Sequence, residues 1–225
     1  MRNCSSGIGY TFENLIGKQE ENFPIPDYNG IEIKTSRRTS WGKIHLFHAT
    51  PDGDYLFPIK NILEVLGYPD RNYPKYKVFN ISLNSKNYTK IGSNKKIKIC
   101  VNREKNKVYL IAKNKKDEDY KLHVSWSFEL LQQRINLKLK YLAIVKAESK
   151  KIEGIEYFKY DEIKFYKLKS FTTFIDLLEA GIIDISFTIG IYKKGKKLGQ
   201  THDRGTIFSI NRNHIKLLYD EIVVD

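Results

Sequence analysis

Apolar positions recur along the chain with two different periods, and the switches between them predict a series of interspersed helices and strands. Near the start, Phe12, Leu15 and Ile16 share one helical face and Gly17 follows as a stop, which predicts a short helix. Ile31 and Ile33 then alternate with Glu32 and Lys34, the two-residue period of a strand, with the isoleucines expected to face a core and the charged pair to point the other way. Residues 36–42 read as a loop, and residues 44–48 as the strand that returns from it. A short helix is expected over 61–66, and a hairpin between 97–101 and 107–111. Phe128, Leu131 and Ile135 form another helical face, leading into a buried strand over 139–145. Ser170 can cap a helix that places Phe171, Phe174, Ile175 and Leu178 on one side and ends at Gly181. From Ile183 to Ile191 every second residue is apolar, and a further strand runs through Phe208 and Ile210. This mixture predicts an α/β fold, a mixed β-sheet flanked by helices.

Composition narrows the picture. The 225 residues suffice for one substantial domain or for two lobes that share a sheet, and the sequence has no internal repeat or low-complexity linker. A formal charge of +13 points to a polyanionic partner such as nucleic acid, although a general bias towards lysine gives the same number. No apolar run approaches eighteen residues, so no transmembrane helix is expected. Cys4 and Cys100 stand far apart without a partner motif, which leaves neither a disulfide framework nor a zinc site. Met1 to Cys4 leads into Ser and Gly without an apolar signal segment, so a cytoplasmic location is expected.

Chemistry concentrates between Pro26 and Lys34. Asp27 precedes Glu32 by five residues across Asn29-Gly30, a dipeptide suited to a tight turn, so its carboxylate can fold back towards the strand. Two carboxylates and an amine are what Mg²⁺-assisted phosphodiester hydrolysis needs: oxygen ligands for a hard cation, and a positive charge to hold water and neutralise the phosphate. Glu13, on the first helix, is a candidate third carboxylate. The pattern D-x4-E-x-K is short, and a solvated strand edge accounts for it equally well. Arg37 and Arg38 follow close enough to grip a phosphate. A second polar cluster joins the last two strands: Lys193, Lys194, Lys196 and Lys197, then His202, Asp203 and Arg204. Lysines there suit phosphates, Arg204 suits guanine O6 and N7, His202 can donate to an acceptor, and Asp203 can accept from cytosine N4. An ordinary solvated Lys/Gly turn is the plain alternative.

Three ordered blocks carry a resemblance. Gly7-Ile8-Gly9-Tyr10-Thr11-Phe12-Glu13 with Pro26-Asp27 and Ile31-Glu32-Ile33-Lys34-Thr35 forms the first. Trp126-Ser127-Phe128 with Lys138-Leu139-Lys140-Tyr141 and Ala147-Glu148-Ser149-Lys150 forms the second, and Gly199-Gln200-Thr201-His202-Asp203-Arg204-Gly205-Thr206 the third. Together they resemble the MvaI/BcnI family of type II restriction endonucleases, which shares its fold with the mismatch-repair nickase MutH. The resemblance implies a two-lobed, MutH-like architecture: residues 1–150 mainly catalytic, with a weakly matched insert over 51–120, and residues 151–225 mainly DNA-recognising, the whole forming one structural unit. It implies Glu13, Asp27, Glu32 and Lys34 as the active-site set, with Lys138 as a further lysine, although a lysine at a helix C-terminus is also a common electrostatic choice. It further implies a Mg²⁺-dependent monomer that cuts double-stranded DNA at a short pseudosymmetric site of CC-x-GG type. A cognate methyltransferase is then expected in the same cell, but not as a bound partner. A MutH-like nickase and a non-catalytic basic DNA-binding protein remain as alternatives.

Overall fold

The computed structural model describes residues 7–17, 26–53 and 56–223. In chain order its elements are α1 (Gly7–Leu15), β1 (Ile31–Arg37), β2 (Lys43–His48), α2 (Pro58–Leu66), β3 (Tyr68–Pro69), β4 (Lys77–Leu83), β5 (Thr89–Ile91), β6 (Lys95–Asn102), β7 (Lys107–Asn114), β8 (Ser125–Ser127) and α3 (Phe128–Lys138). There follow β9 (Tyr141–Ile152), β10 (Ile155–Leu168), α4 (Phe171–Glu179), β11 (Ile183–Ile191), β12 (Thr201–Asp203), β13 (Ile207–Asn211), α5 (Ile215–Leu218) and β14 (Tyr219–Ile222). Arg212–His214 forms a single 3-10 turn between β13 and α5.

Two compact units share the chain, and they interleave. One comprises residues 1–44, 134–170 and 212–225, the other 45–133 and 171–211. The expected catalytic and recognition lobes divide at residue 150, which falls inside β9.

The first unit is built on a four-stranded mixed sheet in the order β1-β9-β10-β14. β1 runs parallel to β9 with Glu32 opposite Leu142, while β9, β10 and β14 are successively antiparallel. Central β9 carries Leu142, Ala143, Ile144, Val145 and Ala147 at 5% exposure or less, a continuous run because both faces of the strand are covered. Its partner β10 follows a two-residue turn in which Glu153 and Gly154 both have positive φ, 49° and 80°, the type I′ geometry that suits the twist of a hairpin. β10 went unrecognised in the sequence because its Lys, Glu and aromatic residues leave one side in solvent and the other only half-buried. α1 packs on β1, where Gly9 backs onto Thr35, and Tyr160 of β10 anchors it by donating to the Ile8 carbonyl at 2.7 Å. Burial among these residues pushes the Tyr160 phenol up to about 12. Phe12 lies edge-on to the same ring, but Leu15 is 69% exposed, so the predicted apolar stripe of α1 is only partly used.

The second unit contains the sheet β2-β13-β11-β4-β3, with β12 paired to β11, and the smaller sheet β5-β6-β7-β8. β2 therefore does not return beside β1 as its position in the sequence suggests; it joins β13. An aromatic core fixes this unit: Phe47 stacks on Phe208 at 4.7 Å, Trp126 meets Phe208 edge-on, and the indole N–H donates to the Ala49 carbonyl at 2.9 Å. The apolar alternation of β11 supplies Ile183, Ile185, Phe187 and Ile189 to that core, as its period predicts. The 97–101 and 107–111 segments form the expected hairpin, β6 against β7. Among the described residues, no helix is long and apolar enough to cross a membrane.

Candidate active site

Glu32 and Lys34 leave β1 on the same face, as a two-residue period requires, and Lys34 Nζ lies 2.5 Å from Glu32 Oε1. The burial is the reverse of the expectation. Glu32 is 2% exposed, whereas Ile31 and Ile33 are only half-buried. A second amine reaches the same oxygen from the end of α3, with Lys138 Nζ 3.8 Å from Oε1. A carboxylate taken out of water costs several kcal/mol even after the surroundings relax, and two ammonium groups at one oxygen offset that cost. Oε2 is buried with no hydrogen-bond partner among the described residues. The site therefore presents an anionic oxygen that the protein leaves uncompensated, beside two cations that remain about one-third exposed, at 31% and 27%.

Asp27 reaches the same strand by the turn its sequence predicts. Asn29 and Gly30 take positive φ, 46° and 82°, and Tyr28 and Ile31 exchange two backbone hydrogen bonds across them. The chain before the turn is thereby laid along the free edge of β1, where Asp27 Oδ2 accepts from the Ile33 amide at 2.8 Å. Glu13 is half-buried on α1, which packs on the Thr35 face of β1, opposite the face of Glu32 and Lys34. Among the described residues, no three carboxylate, histidine or cysteine side chains gather as a metal-binding group, so Glu13, Asp27 and Glu32 do not form a preassembled triad. Oxygen donors suit a hard divalent cation, and Mg²⁺ commonly takes only one or two carboxylates and keeps several waters. Asp27 and the uncompensated oxygen of Glu32 fit that requirement.

Arg37 and Arg38 differ from the expectation of open phosphate grips. Arg37 makes a two-point pair with Glu156 at 2.8 and 2.6 Å and stacks over Phe158, while Arg38 pairs with Asp161 at 2.7 Å and with Glu162 at 3.7 Å. These acidic partners hold both guanidinium groups above their usual range. The reason lies in β10, which pairs with the other side of β9 and places Glu156, Asp161 and Glu162 within reach of the two guanidinium groups across that strand.

In the second unit, Asp70, Tyr73, Asn80, Lys193, His202 and Arg204 are among the residues that line a groove of about 540 Å³. Lys193 is engaged there: its ammonium bonds Asp70 at 2.6 Å and sits over the Tyr73 ring at 4.5 Å. Asp70 also accepts from the Asn72 and Tyr73 amides, and Lys193 with these bonds holds its carboxyl below the usual range. Lys194, Lys196, Lys197 and Arg204 are exposed. Burial, reinforced by the charge of Arg204, lowers His202 below its ordinary value. Asp203 is occupied by its own turn, accepting from the Gly205 amide and the Thr206 hydroxyl at 2.9 and 3.0 Å. Sequence reasoning missed Asp70 and Tyr73, which meet Lys193 only through tertiary structure.

A strand carboxylate flanked by two lysines is the donor set that metal-assisted phosphodiester hydrolysis requires. The chain belongs to the MvaI/BcnI restriction endonuclease family, whose model matches residues 1–219. Among solved structures it is similar to the restriction endonuclease MvaI bound to its cognate DNA substrate, with 31% identity and a TM-score of 0.86 over 99% of this chain and 89% of that one. It is also similar to MvaI in the absence of DNA, with 32% identity and a TM-score of 0.69 over 98% and 89%. A comparison with curated protein sequences finds no match. The protein is accordingly a type II restriction endonuclease acting on DNA, and its family generally uses divalent metal ions.

Proposed function

We propose that Glu32, Lys34 and Lys138, with Asp27 at the strand edge, form the hydrolytic centre of a Mg²⁺-dependent enzyme that cuts a short pseudosymmetric DNA site of CC-x-GG type. The observation that carries the reading is the Glu32 carboxylate, 2% exposed, with Oε1 between two amines and Oε2 without a partner. When bound, a divalent cation supplies Lewis-acid polarisation of the scissile phosphate. Asp27 and Glu32 would hold it, whereas Glu13, on the opposite face of β1, stands outside that ligand set.

The protein's own groups do the rest. Lys34 and Lys138 set fixed positive charge where negative charge grows as the attacking water oxygen bonds to phosphorus. Lys34, the nearer amine, orients that water. The water gives up a proton to solvent as it bonds to phosphorus, the P–O bond opposite it breaks, and the departing oxygen takes up a proton from water, leaving a phosphate on one end and a hydroxyl on the other. Lys194, Lys196 and Lys197 contact the DNA backbone, and neutral His202 and exposed Arg204 read base edges. Lys193 is placed by Asp70, and Asp203 shapes the turn that carries its neighbours. Arg37 and Arg38 brace β1 against β10. The enzyme works as a monomer with one centre, cuts the two strands in successive binding events, and is accompanied by a cognate methyltransferase in its cell.

The test is Glu32→Ala. The variant should bind plasmid DNA as the parent does and leave it uncut in Mg²⁺; normal cleavage would remove Glu32 from the centre.

A further inference from the structure

In the second unit, the floor of the groove holds a polar side chain to which the scheme above gives no part. β4 and β11 pair so that Asn80 stands opposite Thr188 and Ser82 opposite Ser186. These positions alternate with the core side of the same strands, where Phe79 and Phe187 meet edge-on at 5.4 Å. This stretch of the outward face is therefore uncharged and able to hydrogen-bond, and Ser186 donates to Ser82 there at 3.0 Å. The turn after β12 joins the same row. The Arg204 amide donates to the Thr188 carbonyl at 2.9 Å, and Asn80, Thr188 and Arg204 all line the groove.

Asn80 is exposed, yet its backbone is firmly held. β11 pairs with one edge of β4, and on the other edge β3 pairs with Val78 and Lys77. Beyond β3 the Tyr68 hydroxyl continues the ladder, donating to the Asn80 carbonyl at 3.0 Å and accepting from the Asn80 amide at 3.3 Å. A hydroxyl can do both at once. These bonds use the main chain, so the carboxamide projects into the groove from a fixed origin, which lowers the cost of ordering it against a ligand. One row along, Gly190 lies between Val78 and His202 and adds no side chain to the floor. Phosphates are met chiefly by charge, whereas a fixed carboxamide suits a base edge: its oxygen and its amino group match N6 and N7 of adenine as a pair.

We propose that Asn80 is a specificity-determining residue: its carboxamide accepts from the N6 amino group of an adenine and donates to N7, through the major groove. The proposal rests on the reading of this groove as the surface that meets a CC-x-GG site. In such a site only the middle pair can supply an adenine, so Asn80 makes the enzyme prefer A·T there. Arg204 and His202 are left for the flanking G·C pairs. A bidentate contact of this kind separates the right base from a wrong one by about 10–100-fold.

The test is single-turnover cleavage in Mg²⁺ of short duplexes that carry one CC-x-GG site, by the parent and by Asn80→Ala, with the cut in each strand read separately. The middle pair is A·T, G·C, or 7-deazaadenine·T, which removes the N7 acceptor and keeps the pairing with thymine. The parent should cut the G·C duplex, and at least one strand of the 7-deazaadenine duplex, about tenfold or more slowly than the A·T duplex. Asn80→Ala should lose a similar factor on the A·T duplex and cut the 7-deazaadenine duplex no more slowly than that one, because the base atom and the side chain are two halves of one contact. Its melting temperature should match the parent's, since the side chain is exposed. A parent indifferent to 7-deazaadenine or to G·C, or an Asn80→Ala that still discriminates against 7-deazaadenine, would overturn the assignment and leave the site type standing. A parent that cuts none of the duplexes would overturn the CC-x-GG reading and this proposal with it.

Discussion

The two lysines beside Glu32 reach it by different routes. Lys34 stands two residues along the same strand and lies 2.5 Å from Oε1, whereas Lys138 arrives from the end of α3 and stops at 3.8 Å. Removing one positioned donor to a developing anion costs on the order of 10²–10³ in rate, so Lys34→Ala should lose about that much and Lys138→Ala less. Single-turnover cleavage at saturating enzyme measures both, and an equal or reversed loss would reassign the nearer role. His202 gives a prediction in pH. Its folded value lies below the ordinary 6.5, so the unfolded chain binds the proton first as pH falls. The stability associated with neutral His202 is present above about pH 6.5 and is lost as pH falls towards the folded value. Melting temperatures taken from pH 8 to pH 5 should fall less steeply for His202→Gln than for the parent; parallel curves would contradict the burial argument. The Glu32–Lys34 pair was legible in the sequence because a strand's period alone brings those side chains together. Lys138 at the same oxygen, and Asp70 holding Lys193, depend on contacts that no local pattern encodes.

Elements were legible where one face is apolar and the other polar. β11 keeps that contrast along its whole length, and the α3 and α4 stripes keep it at helical spacing. β10 does not, and its absence from the sequence reading removed the acidic partners of Arg37 and Arg38. Those guanidinium groups consequently read as free DNA contacts, whereas β10 gives each an acidic partner. Glu156→Gln should lower stability slightly, as loss of a solvent-screened ion pair does, and leave the salt dependence of DNA binding unchanged. Denaturant unfolding and binding at several salt concentrations check the two halves. The turn after β12 is more sharply constrained. Gly205 has φ 126°, and a Cβ there would lie 2.3 Å from His48 Nδ1. Gly205→Ala should therefore be destabilising by more than about 1 kcal/mol and should weaken specific DNA binding through Arg204 and His202, while the geometry at Glu32 in the other unit persists. Unaltered stability in thermal melts would show that the turn can relax.

At the scale of the molecule, a charge of +13 was informative about the partner but silent about which cations meet it. The structure separates them: Lys193 is tied to Asp70, whereas Lys194, Lys196 and Lys197 are exposed. Each phosphate contact contributes about 0.9 to the slope of log affinity against log salt. Replacing Lys194, Lys196 and Lys197 by Gln should thus reduce that slope by roughly 3 at most, and Lys193→Gln should change it little. The interleaved units carry their own consequence. The chain passes between them at 44–45, 133–134, 170–171 and 211–212, and the sheet under Glu32 needs β10 and β14 as well as β1 and β9. A fragment ending at residue 150 should show no cooperative melt. The central claim is that the Glu32 centre cuts both strands at a specific site, and one digestion tests it. Purified protein and Glu32→Ala are incubated with plasmid of known sequence in Mg²⁺, with and without EDTA, and every new end is sequenced. Discrete double-strand cuts at one repeated CC-x-GG motif, abolished by EDTA and by Glu32→Ala, are the predicted result. Cleavage that persists in Glu32→Ala, or nicks in one strand only, would contradict it.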